Sequence, residues 1–344
     1  MNKNKKILIL GACTNIKFPE KTGGVIVLFE NLKKELNDLN IEYLLIDTNK
    51  SNYPNMLVAI SSIIYNIFKK GKGASHISLH GTSKDYTFLT KFVYLSCKIN
   101  KINYSLRKFA GDFDTHYKNA SSSKKRVIKF VLKNSKHNFF ETKNLTDYFS
   151  KFNENTHWFP NVRESQSRIF KEKKFKKKFV FISQLFKTKG VTEILEASNN
   201  LPDDYQIDLY GPIKDEVYTD EFFKKYKANY MGALKSDEVL ETLKKYDVLL
   251  LPTYYKGEGY PGIIIEAFST GIPVITTSWR SIPEIVTDKT GVIIEPKSSK
   301  ALTEAILSFN DKNYKEFSKN SFESFETFDS KIQTKKFLET IEVL

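Results

Sequence analysis

The stretch Asp247–Thr277 reads DVLLLPTYYKGEGYPGIIIEAFSTGIPVITT. DVLLLPT is a continuous apolar run closed by Pro252-Thr253, the pattern of a strand buried on both faces. Pro261-Gly262 open a helix and Gly271 follows its end, the punctuation of helix start and stop. IPVITT then reads as a second buried strand. A strand, a helix and a strand in this order build a parallel sheet. Glu258 lies in the loop and Glu266 in the early turns of the helix, eight residues apart and able to face one small polar ligand. The helix N-terminus offers unpaired N–H groups and a positive dipole end, suited to a diphosphate, and the glycines allow close backbone approach.

The same alternation runs outward in both directions. Upstream, FVFISQL (179–185) and YQIDLYG (205–211) read as strands, with VTEILEASNNL and SDEVLETLKKY as the helices that follow each. Downstream, TGVIIEP is a strand and the stretch from about Lys300 to Leu344 is helical and amphipathic. In the first half KILILGA (6–12), IEYLLID (41–47), HISLHG (76–81) and YSLRKF (104–109) are strands. Between them lie helices in GGVIVLFENLKKELND, NMLVAISSIIYNIFKK and YTFLTKFVYLSCKIN. PNVRESQSRIFKEKKFKKK, from Pro160, is charged and aperiodic, which marks a linker and a hinge near residues 164–178. The sequence thus specifies two doubly wound α/β domains meeting at a cleft, residues 1–165 and 166–344, with the last helix able to pack back on the first domain.

Of the 344 residues 40% are hydrophobic, enough to bury sizeable cores, which excludes a disordered or fibrous chain. Two cysteines, Cys13 and Cys97, make no disulfide scaffold and suit a reduced, cytoplasmic location. No apolar run reaches the roughly 18 residues needed to span a bilayer, and MNKNKKILILGAC reads as a first core strand behind lysines. Charge is distributed unevenly. Residues 1–165 carry 27 Lys and Arg against 13 Asp and Glu, net +14, whereas 166–344 are neutral. Such a field attracts phosphates or an anionic membrane face. It is densest in SSSKKRVIKFVLKN (121–134), which reads either as a solvated helix face or as a peripheral membrane contact at the inner face of the cell membrane. Aromatic residues are not organised around it as single-stranded nucleic acid binding requires, so no nucleic acid partner is expected.

EGYPGIIIEAFSTGIPVITTSWRSIPEIV (258–286) resembles the donor-binding signature of retaining glycosyltransferases of family 4, which have the GT-B fold. The resemblance continues through FISQLFKTKGVTEILEA (181–197), DLYGP (208–212) and YMGALKSDEVLETLKKYDVLLLPT (230–253). Weaker echoes lie in TGGV (22–25), RKFAGDF (107–113), ETKNL (141–145) and PNVR (160–163), in the style of enzymes that build capsules, lipopolysaccharide and other cell-surface polysaccharides. It implies a metal-independent hexosyltransferase-like enzyme, a nucleotide-sugar as donor substrate and a glycan or lipid-linked glycan as acceptor. No cofactor is implied. Glu258 would contact sugar hydroxyls and Glu266 the ribose, while the backbone at Gly259, Tyr260, Gly262 and Ile263 would hold phosphates and sugar. Lys189, in TKGV, would bind the diphosphate and act with Glu258 as the catalytic pair. Gly211 and Met231-Gly232 would lie near the base, and Gly23 and Gly24 near the phosphates.

Three positions depart from the family pattern. Gln184 stands where many relatives carry an Arg toward the phosphates, with Lys187 a nearby substitute. Pro261 replaces a frequent Gly and has no N–H to donate. Phe109-Ala110-Gly111 replaces the histidine that many relatives place after the fourth strand. Asp112 and His116 are acceptor-side candidates, the former in a D-x-D triplet with Asp114. His76 and His80 lack Cys or carboxylates at ligand spacing, so no metal site is expected. A sugar-nucleotide epimerase of the same fold, or a basic nucleic-acid-binding protein, are the alternatives.

Overall fold

The computed structural model describes residues 6–18, 23–164 and 169–344. They form two compact units, Met1–Glu164 with Asp329–Leu344 and Ser165–Phe328. The first boundary falls after Glu164, and Asp329–Leu344, the segment holding the last helix, is grouped with the first unit.

Unit 1 contains β1 (Lys6–Gly11), α1 (Gly24–Asp38), β2 (Tyr43–Asp47), α2 (Met56–Gly71), β3 (Ala74–Gly81), α3 (Ser83–Phe88) and α4 (Thr90–Asn100). It continues with β4 (Asn103–Lys108), α5 (Phe113–Asn119), α6 (Ser122–Asn134), β5 (His137–Phe140), α7 (Lys143–Ser150) and β6 (Thr156–Trp158). The strands lie in the order β2-β1-β3-β4-β5-β6, and every neighbouring pair is parallel. Strand alternation sorts the apolar residues into two cores. Leu8, Leu10, Ile77, Leu79 and Leu106 meet Ile63 and Ile67 of α2, Val93 and Cys97 of α4 and Ile128 and Leu132 of α6. Ile7, Ile9 and Phe139 face the other way, against Leu28, Phe29 and Leu32 of α1 and Phe337 and Leu338 near the C-terminus.

YTFLTKFVYLSCKIN is not one helix. A Thr82–Asp85 capping box starts α3, and the chain divides at Leu89 into α3 and α4, with the Thr90 hydroxyl donating to the Tyr86 carbonyl across the break. On the α1 face of the sheet, where His80 packs against Phe29, a buried polar chain links β3 and β4. His76 Nε2 lies 3.0 Å from Ser105 Oγ, Ser105 Oγ donates to Ser78 Oγ at 2.9 Å, and Ser78 Oγ lies 3.0 Å from His80 Nε2.

Unit 2 contains β7 (Lys178–Ile182), α8 (Val191–Asn199), β8 (Gln206–Tyr210), α9 (Asp220–Phe223), β9 (Asn229–Tyr230), α10 (Val239–Leu243), β10 (Val248–Leu251) and α11 (Gly262–Ser269). Then come β11 (Val274–Thr277), β12 (Gly291–Ile294), α12 (Ser299–Leu307) and α13 (Asp311–Ser324). The sheet order is β12-β11-β10-β7-β8-β9, again parallel throughout. Val248–Leu251 is wholly buried, which is why its sequence shows no alternation. The winding reverses between β7 and β10, and such switch points are where open α/β sheets bind ligands. The final amphipathic stretch is three helices, because Asn310 caps α13 and Asp329 caps α14 (Ser330–Thr340). Among the described residues no helix is long and apolar enough to cross a membrane.

Candidate active site in the second unit

The loops after β7 and β10, the two strands at the switch point, build the site. After β7 the chain enters a 3₁₀ turn at Lys187–Lys189 and closes it with Gly190 at φ +80°. A Cβ on Gly190 would fall 2.4 Å from the Pro252 carbonyl oxygen, so only glycine lets the two loops touch. Tyr254 N–H donates to the Thr188 carbonyl at 2.8 Å and fixes their register.

This contact brings together two residues far apart in sequence. Lys189 Nζ lies 2.6 Å from Glu258 Oε2, and the two side chains are only 12% and 9% exposed. The Thr253 hydroxyl donates to the same oxygen at 2.8 Å. Charge-assisted bonds of this length hold a carboxylate firmly. The Lys189 ammonium also sits 5.3 Å from the Tyr255 ring centroid. The loop between β10 and α11 is pinned on either side of Glu258: Trp279 Nε1 donates to the Tyr255 carbonyl at 2.7 Å, and the buried Tyr260 hydroxyl donates to Glu284 Oε2 at 2.5 Å. Beneath the loop Glu193 faces Tyr254. Burial raises the Glu193 carboxyl above its usual range, and burial with the nearby Glu193 charge pushes Tyr254 up to about 12.

Pro261 caps α11 in an extended conformation, and no acidic residue occupies the first turn. The Ile264 amide already bonds the Pro261 carbonyl at 3.1 Å, so the amides ahead of it, at Gly262 and Ile263, form the open first turn. Glu266 lies one turn further on, half-buried.

At the neighbouring strand end Gly211 has φ +141°, with a Cβ position 1.8 Å from the Ser183 carbonyl oxygen. Its N–H donates to the Gly232 carbonyl at 2.9 Å, which joins the Gly211 and Met231-Gly232 segments. Met231 and Gln184 are exposed.

The remaining candidates lie in unit 1. Gly23 precedes α1 and Gly24 opens it; among the described residues nothing lies within 4 Å of a Cβ placed at either. Thr22 of the TGGV echo falls outside the described residues. Asp112 starts α5, and His116 stacks on Phe113 with ring centroids 6.0 Å apart. Burial, with Lys108 nearby, lowers the His116 pKa. Asp114 pairs with Lys118 at 3.1 Å. In the Phe109-Ala110-Gly111 turn Ala110 has φ +73°, and its N–H donates to Glu141 Oε2 at 2.9 Å. Among the described residues no three His, Cys, Asp or Glu side chains are placed to hold a metal ion.

The supporting residues Thr253, Gly190, Trp279 and Glu284 escape a reading of sequence. Thr253 had one local signal, a hydroxyl at the carboxyl end of a buried strand. The others act only through contacts made by folding.

Residues 162–324 match the model of the family described as glycosyl transferases group 1. This stretch belongs to that family. The group 1 domain covers almost all of unit 2. The putative teichuronic acid biosynthesis glycosyltransferase TuaC of Bacillus subtilis is 29% identical over 133 residues, 38% of this chain and 32% of the relative. The putative colanic acid biosynthesis glycosyltransferase WcaL of Escherichia coli is 29% identical over 143 residues, 38% of this chain and 35% of the relative. The chain thus spans about a third of the length of these two relatives. The crystal structure of Anabaena Alr3699/HepE in complex with UDP aligns with TM-score 0.74 at 14% identity, covering 98% of this chain and 100% of that one. The fold beyond the group 1 domain is therefore also that of the GT-B glycosyltransferases.

Proposed function

We propose that this chain transfers a sugar from a nucleoside-diphosphate sugar to a glycan or lipid-linked glycan, with retention, in building a cell-surface polysaccharide on the cytoplasmic side of the membrane. The observation that carries this reading is the Lys189–Glu258 pair, 2.6 Å apart, in a group 1 domain whose α11 begins just beyond it.

In this reading the bond between the anomeric carbon and the diphosphate oxygen breaks, and the nucleoside diphosphate leaves with the electron pair. The acceptor hydroxyl oxygen bonds to the anomeric carbon, and its proton passes to the departing diphosphate and from there to solvent. Charge on the leaving diphosphate is met by the Lys189 ammonium and the Gly262 and Ile263 amides, a preorganised set of donors. Pro261 contributes no amide, so its neighbours carry that role. Glu258, held through Oε2 by Lys189 and Thr253, accepts from sugar hydroxyls, and Glu266 accepts from the ribose. Lys189 is shared between Glu258 and the phosphates, which couples the sugar contact to the leaving group. We assign the leaving-group charge to these groups without a metal ion, so activity should persist in chelator.

HepE was crystallised with UDP, which makes UDP-sugars the first donors to try. The test combines a thermal-shift panel of UDP-, GDP-, ADP- and CMP-sugars with assay of free nucleotide. One nucleotide class should stabilise the protein, and Glu266→Ala should abolish the shift. Lys189→Ala should lower turnover by about 10²-fold or more, as removal of one preorganised donor does. No stabilisation by any nucleotide-sugar, or nucleotide release at one rate with and without acceptor glycan, would overturn the reading.

A further inference from the structure

The helices α2, α4 and α6 form one layer over the sheet of unit 1, their inner sides fused into a single core. Their outer sides share an unusual composition. The three helices carry nine Lys and Arg and not one Asp or Glu. Projecting from the same helices are Met56, Leu57, Val58 and Tyr65 of α2, Leu95 and Ile99 of α4 and Phe130 of α6, each between 43% and 78% exposed. Phe130 meets Tyr94 across the α4–α6 seam with ring centroids 4.9 Å apart, which ties these two helices together. On the same layer opens a recess of about 420 Å³ whose polar lining includes Lys98, Lys101, Asn103 and Asn134.

From this surface we infer that unit 1 docks on an anionic lipid bilayer through the α2–α4–α6 layer. Leu57, Leu95, Ile99 and Phe130 enter the headgroup–acyl boundary, and the lysines and Arg126 meet lipid phosphates. Two properties single out this occupant. A surface of one charge sign complements a sheet of phosphates, whereas a protein partner of mixed charge would leave cations unmatched. Exposed apolar side chains on helices whose only charges are positive suit shallow insertion with electrostatic anchoring. Nucleic acid would use the cations and leave the aliphatic points in water. The inference stands on unit 1 alone and does not depend on the donor chemistry of unit 2.

The test is sedimentation of the full chain with phosphatidylcholine vesicles, with and without phosphatidylglycerol. Anionic vesicles should bind at least about tenfold more tightly, with a steep loss in added salt. Reversal of Lys125, Arg126 and Lys129 to Glu should erase that preference. Reversal of Lys225, Lys289 and Lys300 to Glu, exposed in unit 2, should leave most of it. A second readout follows insertion directly: Leu95→Trp should shift to the blue on anionic vesicles and be quenched by brominated acyl chains. Equal sedimentation with both vesicle types overturns the proposal, as does equal damage by the two reversals. A Trp at 95 that stays in water while the protein sediments, or a stronger, salt-sensitive preference for RNA than for vesicles, overturns it as well.

Discussion

At the scale of single residues, the site depends on a threonine as much as on its charged pair. Thr253 donates 2.8 Å to the carboxylate oxygen that also receives Lys189, so it fixes which way Glu258 points. Thr253→Val keeps the shape and removes that donor. A hydrogen bond to a charged group is worth about 1.5–3 kcal/mol, so kcat/KM for donor-dependent transfer should fall roughly tenfold or more. The melting temperature should move little by comparison. Lys108 presents a second residue-level test. It is buried, its ammonium donates to the Phe109 carbonyl, and burial lowers its pKa to about 8 despite Asp112, Glu141 and Asp85 nearby. The unfolded chain keeps that proton up to its ordinary value near 10.4. Between about pH 8 and 10.4 the unfolded state therefore binds more protons, and stability rises with pH across that window. Lys108→Met should flatten the rise, at most about 3 kcal/mol, in urea unfolding followed from pH 7 to 10.5.

At the scale of elements, α14 shows how a segment can belong to the core of a unit that it does not adjoin in sequence. Phe337 lies 5.0 Å from Phe139 and 5.5 Å from Phe159 between ring centroids, and Ser330 bonds the Glu35 carboxylate of α1. Phe337→Ala should cost about 3–5 kcal/mol, as large aromatic deletions in cores do. Trp158 lies in unit 1 and Trp279 in unit 2, so emission in a Trp279→Phe background should report earlier urea unfolding of unit 1. The strands were legible because buried parallel strands write unbroken apolar runs, as in VLLL at 248–251. The division at Leu89 and the separate caps at Asn310 and Asp329 were less so, since they turn on single hydroxyls and carboxylates inside helical composition. The pairing of Lys189 with Glu258 was not legible from periodicity at all. Resemblance named both residues, but their contact exists only because β7 and β10 are neighbours and Gly190 lets their loops meet. Sheet order, which makes those strands neighbours, leaves no mark on either strand.

At the scale of the whole molecule, the net charge and the candidate site are allotted to different units. Unit 1 holds the full net +14, since Asp329–Leu344 adds three residues of each sign, while the Lys189–Glu258 site lies in a unit of balanced charge. The chain leaves unit 1 after Glu164 and re-enters it at Asp329. There Arg163 and Asp329 run side by side as a parallel bridge, and Ser330 N–H donates to the Arg163 carbonyl at 2.9 Å. Neighbouring strands at such a bridge stand about 4.8 Å apart, a gap that a linker of a few residues spans. A protein with 165–328 replaced by a short Gly-Ser linker should therefore fold, with Trp158 giving one cooperative urea transition. The same geometry makes the group 1 stretch a cassette with both ends at one doorway, so recombination could exchange it whole, setting a different stretch on an old first unit without re-threading its sheet.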